Sequence, residues 1–349
     1  MIEHASGNLL DADAQALVNT VNCVGVMGKG IALQFKQAFP ENFTEYERAC
    51  RHSEVQFGRM FIHATGRITN PRYIINFPTK GHWKERSRIQ NVQAGLRDLV
   101  AQVRSLNITS IAVPPLGCGN GGLDWADVAP LIEAAFSALP EVRVLVFRPS
   151  GAPQAEKMQV GTKAPEWTRA RALFIELMRR YALPGYNLTL LEIQKLAFFL
   201  QEAGEPLKLN FARQKRGPYA ENLNFVLQRL EGHFIRGYGD RSSEAEIHLL
   251  PGADTSAQAV LAKDADAQAK LERVSRLIEG FETPYGMELL ATVCWVAKED
   301  AQARDDISWA VAKVQDWSPR KKRLFTPAHI IKSWNRLRDQ GWINSIARQ

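Results

Sequence analysis

Asn19-Thr20-Val21-Asn22-Cys23-Val24-Gly25-Val26-Met27-Gly28-Lys29-Gly30-Ile31-Ala32 decides the fold of the first half of this 349-residue chain. It leaves an apolar run at 16–21, passes through three glycines and enters a helical pattern at 30–39. Glycine permits positive φ, so backbone amides in such a loop can turn inward, and the helix start adds its positive dipole end. That is the chemistry of a diphosphate cradle. The spacing fits neither a P-loop nor a Rossmann fingerprint, and a plain strand-to-helix connection reads equally well from this loop alone. A second loop, Pro114-Pro115-Leu116-Gly117-Cys118-Gly119-Asn120-Gly121-Gly122-Leu123-Asp124-Trp125, again links a strand to a helix. Two such loops at strand C-terminal ends flank one crevice, where open α/β sheets bind ligands.

Further β-rich runs lie at 60–64, 73–77, 110–114 and 142–147, with amphipathic stretches at 88–105 and 125–139. Strands alternating with helices predict an α/β layered fold for residues 1–150. Residues 149–165 hold three prolines and two glycines with little periodicity, which predicts a linker at 151–165. Helical spacing then recurs at 166–181, 189–203, 220–231, 267–281, 284–297 and 327–340, so residues 166–349 read as a mainly α-helical domain. Thr189 with Glu192 predicts a capping box, 245–250 a short strand and 252–266 a loop.

Composition excludes several classes. Lys and Arg number 44 against 37 Asp and Glu, a net charge of +7. Residues 1–150 carry 15 against 13 and the rest 29 against 24, so neither half has the saturated basic face of a duplex-DNA binder. No apolar run approaches the ~18 residues of a membrane span. Met1 to Gln15 has no basic start followed by an apolar stretch, so no secretory leader is expected. Four scattered cysteines form no disulfide framework, and a reducing cytoplasm is the expected compartment. Metal binding has no support, because the seven histidines are dispersed and no Cys/His cluster occurs.

Gly7-Asn8-Leu9-Leu10, the Asn19–Asn22 and Met27-Gly28-Lys29-Gly30-Ile31-Ala32 motifs, and Pro115-Leu116-Gly117-Cys118-Gly119-Asn120-Gly121-Gly122 together resemble a macrodomain over residues 1–150. The resemblance implies a three-layer α/β/α fold that binds ADP-ribose. It is closest to the branch that removes ADP-ribose with a lysine, within antitoxins paired with DarT-like toxins that modify thymidine in single-stranded DNA. Carried over, Leu9 and Leu10 would lie near the adenine side, and Asn19 and Asn22 at the distal ribose, with Asn22 also meeting the attached base. The amides of Val26, Met27, Gly28, Lys29, Gly30 and Ile31 would hold the diphosphate from one side, and those of Gly117, Cys118, Gly119, Asn120, Gly121 and Gly122 from the other. Lys80, in Asn76-Phe77-Pro78-Thr79-Lys80-Gly81-His82-Trp83, would reach the anomeric carbon.

Cleaving an N-glycosidic bond passes through an oxocarbenium-like state, so a nucleophile or base is needed at that carbon. A lysine serves in either role if burial leaves its amine neutral. The resembling branch resolves a covalent lysyl intermediate with an aspartate in the second glycine loop. Here that stretch is Asn120-Gly121-Gly122, and the nearest acid is Asp124. Lys80 as base, or as a group that polarises the substrate, therefore stands beside the covalent route. Directly afterwards, Trp83, Lys84, Arg86 and Arg88, with His82 beside them, combine a stacking ring with phosphate-binding cations, as single-strand recognition requires. A solvated loop is the competing reading. Cys23 and Cys118 have no paired base and read as small apolar fillers.

In the C-terminal half, 193–199 and 215–219 resemble a Panacea or SocA-like antitoxin domain. Phe198, Phe199 and Phe225 read as core. The cations at 213–216 and 320–323 read either as a solvated face or as contacts to an acidic partner or nucleic acid. The leading expectation is an antitoxin whose macrodomain removes ADP-ribose from thymidine in single-stranded DNA. Its helical domain would bind and inhibit the cognate DarT-like toxin. Water is then the co-substrate and no external cofactor is implied. The alternatives are a glycohydrolase acting on ADP-ribosylated protein carboxylates or acylated ADP-ribose, and a non-catalytic ADP-ribose reader fused to an interaction module.

Overall fold

The computed structural model describes residues 1–182, 185–241 and 244–343. The chain divides into two compact units, one of residues 1–163 joined by Gly239, Asp240 and Arg241, the other holding most of the remainder. The expected linker residues 151–163 thus fall in the first unit. Gln159 Nε2 donates to the Leu10 carbonyl at 3.0 Å and to Asp11 at 2.8 Å, and the Gly161 amide to the Gln37 carbonyl at 2.8 Å.

The first unit is built on six strands: β1 (Ile2–Ala5), β2 (Ala16–Asn22), β3 (Phe61–Ala64), β4 (Tyr73–Lys80), β5 (Ser110–Val113) and β6 (Arg143–Phe147). Their order is β1-β6-β5-β2-β4-β3, parallel except for β3 against β4. The helices are α1 (Gly30–Ala38), α2 (Pro40–Arg51), α3 (Ile89–Ser105) and α4 (Trp125–Phe136). Alternate strand residues face opposite layers. Val18, Ile75, Phe77, Val113 and Val144 pack against Val92, Leu96 and Leu99 of α3 and Val128 and Ile132 of α4. Leu17, Ile74, Ala112 and Leu145 pack against Phe35 and Phe39 on the other face, and Tyr46 and Ala49 of α2 cover Val21. This is the expected three-layer α/β/α arrangement. Strand β1 and helix α2 carry no expectation from the sequence.

The second unit comprises α5 (Arg169–Tyr181), α6 (Leu190–Glu202), the hairpin β7 (Phe211–Gln214) and β8 (Gly217–Ala220), α7 (Leu223–Leu230), and the short pair β9 (Ile235–Arg236) and β10 (His248–Leu249). Helices α8 (Ala253–Leu261), α9 (Ala265–Ile278), α10 (Pro284–Glu299), α11 (Ala301–Asp305), α12 (Ile307–Gln315), α13 (Pro319–Leu324) and α14 (Pro327–Asp339) follow. Thr189 and Glu192 form the expected capping box of α6. The loop expected at 252–266 contains α8 instead, which buries only Ala253, Ala257 and Leu261 and so shows little apolar periodicity.

The two C-terminal motifs meet. Lys195 Nζ donates to the Pro218 carbonyl at 2.6 Å, and the Gln194 side chain bonds both backbone groups of Ala220 at 2.9 and 3.0 Å. Burial, with Lys321 nearby, pushes the Lys195 ammonium down to about 7. Phe198 and Phe199 are buried as expected, but Phe225 is 60% exposed, because α7 turns Leu223, Asn224 and Leu227 inward instead. The 320–323 run is not a uniformly solvated face. Lys321 is fully buried, its Nζ 2.8 Å from Glu288 and 2.9 Å from Thr292 Oγ1, and Arg320 pairs with the same carboxylate.

One packing contact positions the strand that ends in Lys80. A Cβ on Gly95 of α3 would lie 2.2 Å from Phe77 Cζ. Gly95→Ala should lower stability by about 1–3 kcal/mol, the usual cost of overpacking. A urea midpoint measures it, and adding Phe77→Leu should restore part of the loss.

Candidate active site

The site is assembled from the C-terminal ends of β2 and β4. Their register shifts between Val21 and Asn22, so that Asn22 stands opposite Lys80, and the Cys23 amide continues the pairing to the Gly81 carbonyl at 3.0 Å. Lys80 Nζ reaches across to donate to the Asn120 carbonyl of the second glycine loop. A Cβ on Gly30 would lie 2.9 Å from Asn120 Nδ2, so the two glycine loops face each other across the Asn120 side chain. The sequence-predicted lysine and both loops therefore come together. Desolvation by burial holds the Lys80 ammonium below the usual lysine range.

Asn22 shapes the first loop from within. Its Oδ1 accepts from the amides of Val24 at 3.0 Å and Val26 at 3.3 Å, and its Nδ2 donates to the Val26 carbonyl at 2.5 Å. Asn19 is fully buried. Its Nδ2 donates to Asn76 Oδ1 at 3.0 Å, and Asn76 in turn donates to Asn42 at 2.6 Å. Both asparagines expected at the ribose thus have structural bonds, with Asn19 placed inside the sheet. Leu9 and Leu10 sit in a 3-10 turn, buried among Leu17, Phe35 and Phe147. Met27 is buried toward Asn19, while Val26 and Lys29 are exposed and Gly28 is half-buried. The Gly30 amide, at the start of α1, donates to the Asp240 carbonyl at 2.8 Å, leaving the neighbouring amides of Gly28, Lys29 and Ile31 as the donors of that loop.

In the second loop, Gly117 is buried, Cys118 half-buried, and Gly119, Asn120 and Gly122 exposed. Gly121 has no room for a side chain: a Cβ there would lie 2.2 Å from the Gly117 carbonyl and 2.3 Å from Ser87 Oγ. Ser87 also donates its amide to the Gly121 carbonyl at 3.0 Å, tying the loop to the basic segment before α3. In that segment the rings of His82 and Trp83 lie 5.3 Å apart, Lys84 Nζ sits 4.9 Å above Trp83, and Trp83 is 50% exposed. Arg86 and Arg88 are exposed beside it. Asp124 caps α4, accepting from the Ala126 amide at 2.9 Å, so the acid nearest the loop in sequence has a structural partner. Burial raises the thiols of Cys23 and Cys118 to about 11, which keeps both protonated as fillers. No group of side chains able to hold a metal occurs among the described residues.

Sequence reasoning missed Tyr46, Asn42 and Asp240. Tyr46 Oη donates to the Asn22 carbonyl at 2.6 Å from α2, and only the register of distant elements brings it there.

Residues 18–132 match the Macro domain family model. A DNA ADP-ribosyl glycohydrolase of Thermus aquaticus is 48% identical over 98% of this chain and 94% of its own length. The chain belongs to the DNA ADP-ribosyl glycohydrolase family. The solved structure of the macrodomain of Mycobacterium tuberculosis DarG, at 58% identity and a TM-score of 0.43, matches over 43% of this chain and 99% of its own. A DNA ADP-ribosyl transferase–DNA ADP-ribosyl glycohydrolase fusion protein of Thermosipho africanus is 34% identical over 41% of this chain and 40% of its own length. Among the described residues, no helix is long and apolar enough to cross a membrane.

The two loop glycines separate by packing. Gly121→Ala should lower the thermal midpoint and disorder the second loop. Gly119→Ala, with nothing within 4 Å of its Cβ, should leave the midpoint unchanged in a thermal melt.

Proposed function

We propose that this chain removes ADP-ribose from thymidine in single-stranded DNA through its macrodomain, and that its helical unit binds and inhibits a cognate DarT-like DNA ADP-ribosyltransferase. The observation that carries the enzymatic reading is the Lys80 amine, set at the end of β4 opposite Asn22 and bonded to the second glycine loop. In this reading the loop amides bind the diphosphate, while Lys80 acts at the anomeric carbon of the distal ribose and thymine departs. Water supplies the group that ends on ADP-ribose. Whether Lys80 attacks the carbon or takes a proton from water, it works as the free base, and the burial that lowers its pKa favours that form. With Asp124 occupied as a helix cap, Asn120 supplies a carbonyl where the resembling branch has a carboxylate.

The exposed Trp83 with Lys84, Arg86 and Arg88 supports DNA over a small ester or a protein carboxylate as the carrier of ADP-ribose, because a stacking ring and cations suit a single strand. The toxin as partner is supported by family membership and by the Thermosipho africanus relative, whose name joins the two activities in one polypeptide.

A single-stranded oligonucleotide carrying ADP-ribosylated thymidine tests the reading. The wild type should release ADP-ribose and restore the oligonucleotide. Lys80→Ala should abolish release while leaving ADP-ribose affinity nearly unchanged, and loss of both together would contradict the assigned role. The wild-type rate should rise with pH to a plateau below the ordinary lysine pKa, and borohydride trapping separates a lysyl adduct from base catalysis. Trp83→Ala should raise KM for the oligonucleotide and leave the calorimetric Kd for ADP-ribose alone. Release by neither enzyme would move the substrate to protein or acyl conjugates, or the protein to a reader.

A further inference from the structure

Helix α1 begins on Gly30 with Lys29 at its N-cap position, and the Lys29 side chain makes no capping bond. A segment some two hundred residues downstream supplies what is missing. The Asp240 carbonyl accepts from the Gly30 amide at 2.8 Å, and Asp240 Oδ2 accepts from Gln34 Nε2, one turn further along α1, at 2.7 Å. Next to it, Arg241 Nη1 approaches the Gly28 carbonyl at 3.5 Å. Both ends of Gly28-Lys29-Gly30 are therefore held by two consecutive residues. Asp240 is 2% exposed, and Gln34 is buried as well. Arg241 has φ +65°, a left-handed conformation that an arginine keeps only where its surroundings impose it. Gly239, at φ +60°, makes the approach possible against Ala155 and Met158.

We propose that Asp240 is a positioning residue for ADP-ribose binding, clamping the first glycine loop from outside so that its remaining amides are preorganised for the diphosphate. This rests on the function proposed above. A loop with three glycines in six residues loses much conformational entropy when it orders around a ligand. The clamp meets that cost before the ligand arrives, which strengthens binding without any new ligand contact. Asp240 thus reaches the ligand only through the loop, and its effect belongs in KM and Kd, with the chemical step at Lys80 untouched.

The test uses the full chain with Asp240→Ala and Asp240→Asn. Asp240→Ala should raise KM for the ADP-ribosylated oligonucleotide and Kd for ADP-ribose by about tenfold, the scale of one lost charge-assisted hydrogen bond, with kcat within twofold of wild type. Asp240→Asn keeps an acceptor for Gln34 and should recover most of the loss. Amide hydrogen exchange over residues 24–33, without ligand, should be faster in Asp240→Ala than in wild type or Asp240→Asn. Unchanged KM, Kd and exchange in Asp240→Ala overturn the proposal, as does a fall in kcat with KM unchanged. Failure of the wild type to bind ADP-ribose overturns the functional reading instead. The exchange measurement still decides whether the clamp holds the loop.

Discussion

Asn19 and Asn76 face each other across two buried parallel strands, and the 3.0 Å bond between their side chains exists only in one register of β2 against β4. A slip of one residue would turn every apolar side chain of the strand to the wrong layer and leave two amides buried without partners. Asn42 and the Phe61 carbonyl complete the network around Asn76, so α2 and β3 are tied to the same register. From there the geometry of the site follows. The irregularity between Val21 and Asn22 sets Asn22 beside Lys80, Asn22 folds the first glycine loop around its own amide, and Lys80 spans to the second. The buried triad of Asn19, Asn76 and Asn42 thus decides where the amine sits.

This explains why the sequence was legible in some places and silent in others. The buried central strands show as continuous apolar runs, and the loops show because glycine in that density has few structural uses. Strand β1, Ile-Glu-His-Ala at the sheet edge, pairs with β6 about 140 residues away and has no fully buried residue, so no local pattern betrays it. Helix α2 buries Asn42, Tyr46, Ala49 and Cys50, none of them a long aliphatic side chain, which weakens the apolar signal of its inner face. The same residues were missed at the site for the same reason. Asn19 was legible as important, but its bond to Asn76 was not, because a motif gives the residue type and the register gives its surroundings.

In the helical unit, a run that reads as surface charge divides in two. Lys321 and Arg320 share the buried Glu288, whose carboxyl their charges hold below its usual range despite burial, and Lys195 lies close enough to Lys321 to be depressed by it. Placing these charges inside costs desolvation that the pairing repays only with good geometry, so such a cluster specifies an arrangement more than it stabilises one. It joins α10 to α13 and brings the β7–β8 hairpin against α6. The cations that remain outward, Lys215, Arg216, Lys322 and Arg323, are the ones open to a partner's carboxylates.

Burial has opposite effects on the ionisable groups beside the glycine loops. It favours the neutral form in each case, which disarms a thiol and arms an amine. Cys23 and Cys118, raised to about 11, cannot act as thiolates near neutrality, whereas the same effect leaves a larger fraction of Lys80 as the free amine, a weaker base than an ordinary lysine but unprotonated more of the time. In the proposed reaction no dedicated base would be needed to activate the lysine, in keeping with a site where Asp124 is committed to a helix cap and the facing loop offers Asn120's carbonyl. That carbonyl can accept a proton-bearing amine and orient it, but it cannot itself activate water as a carboxylate would. In the proposed reaction, the burden of resolving or avoiding a covalent intermediate would therefore fall on the lysine and on water admitted between the loops.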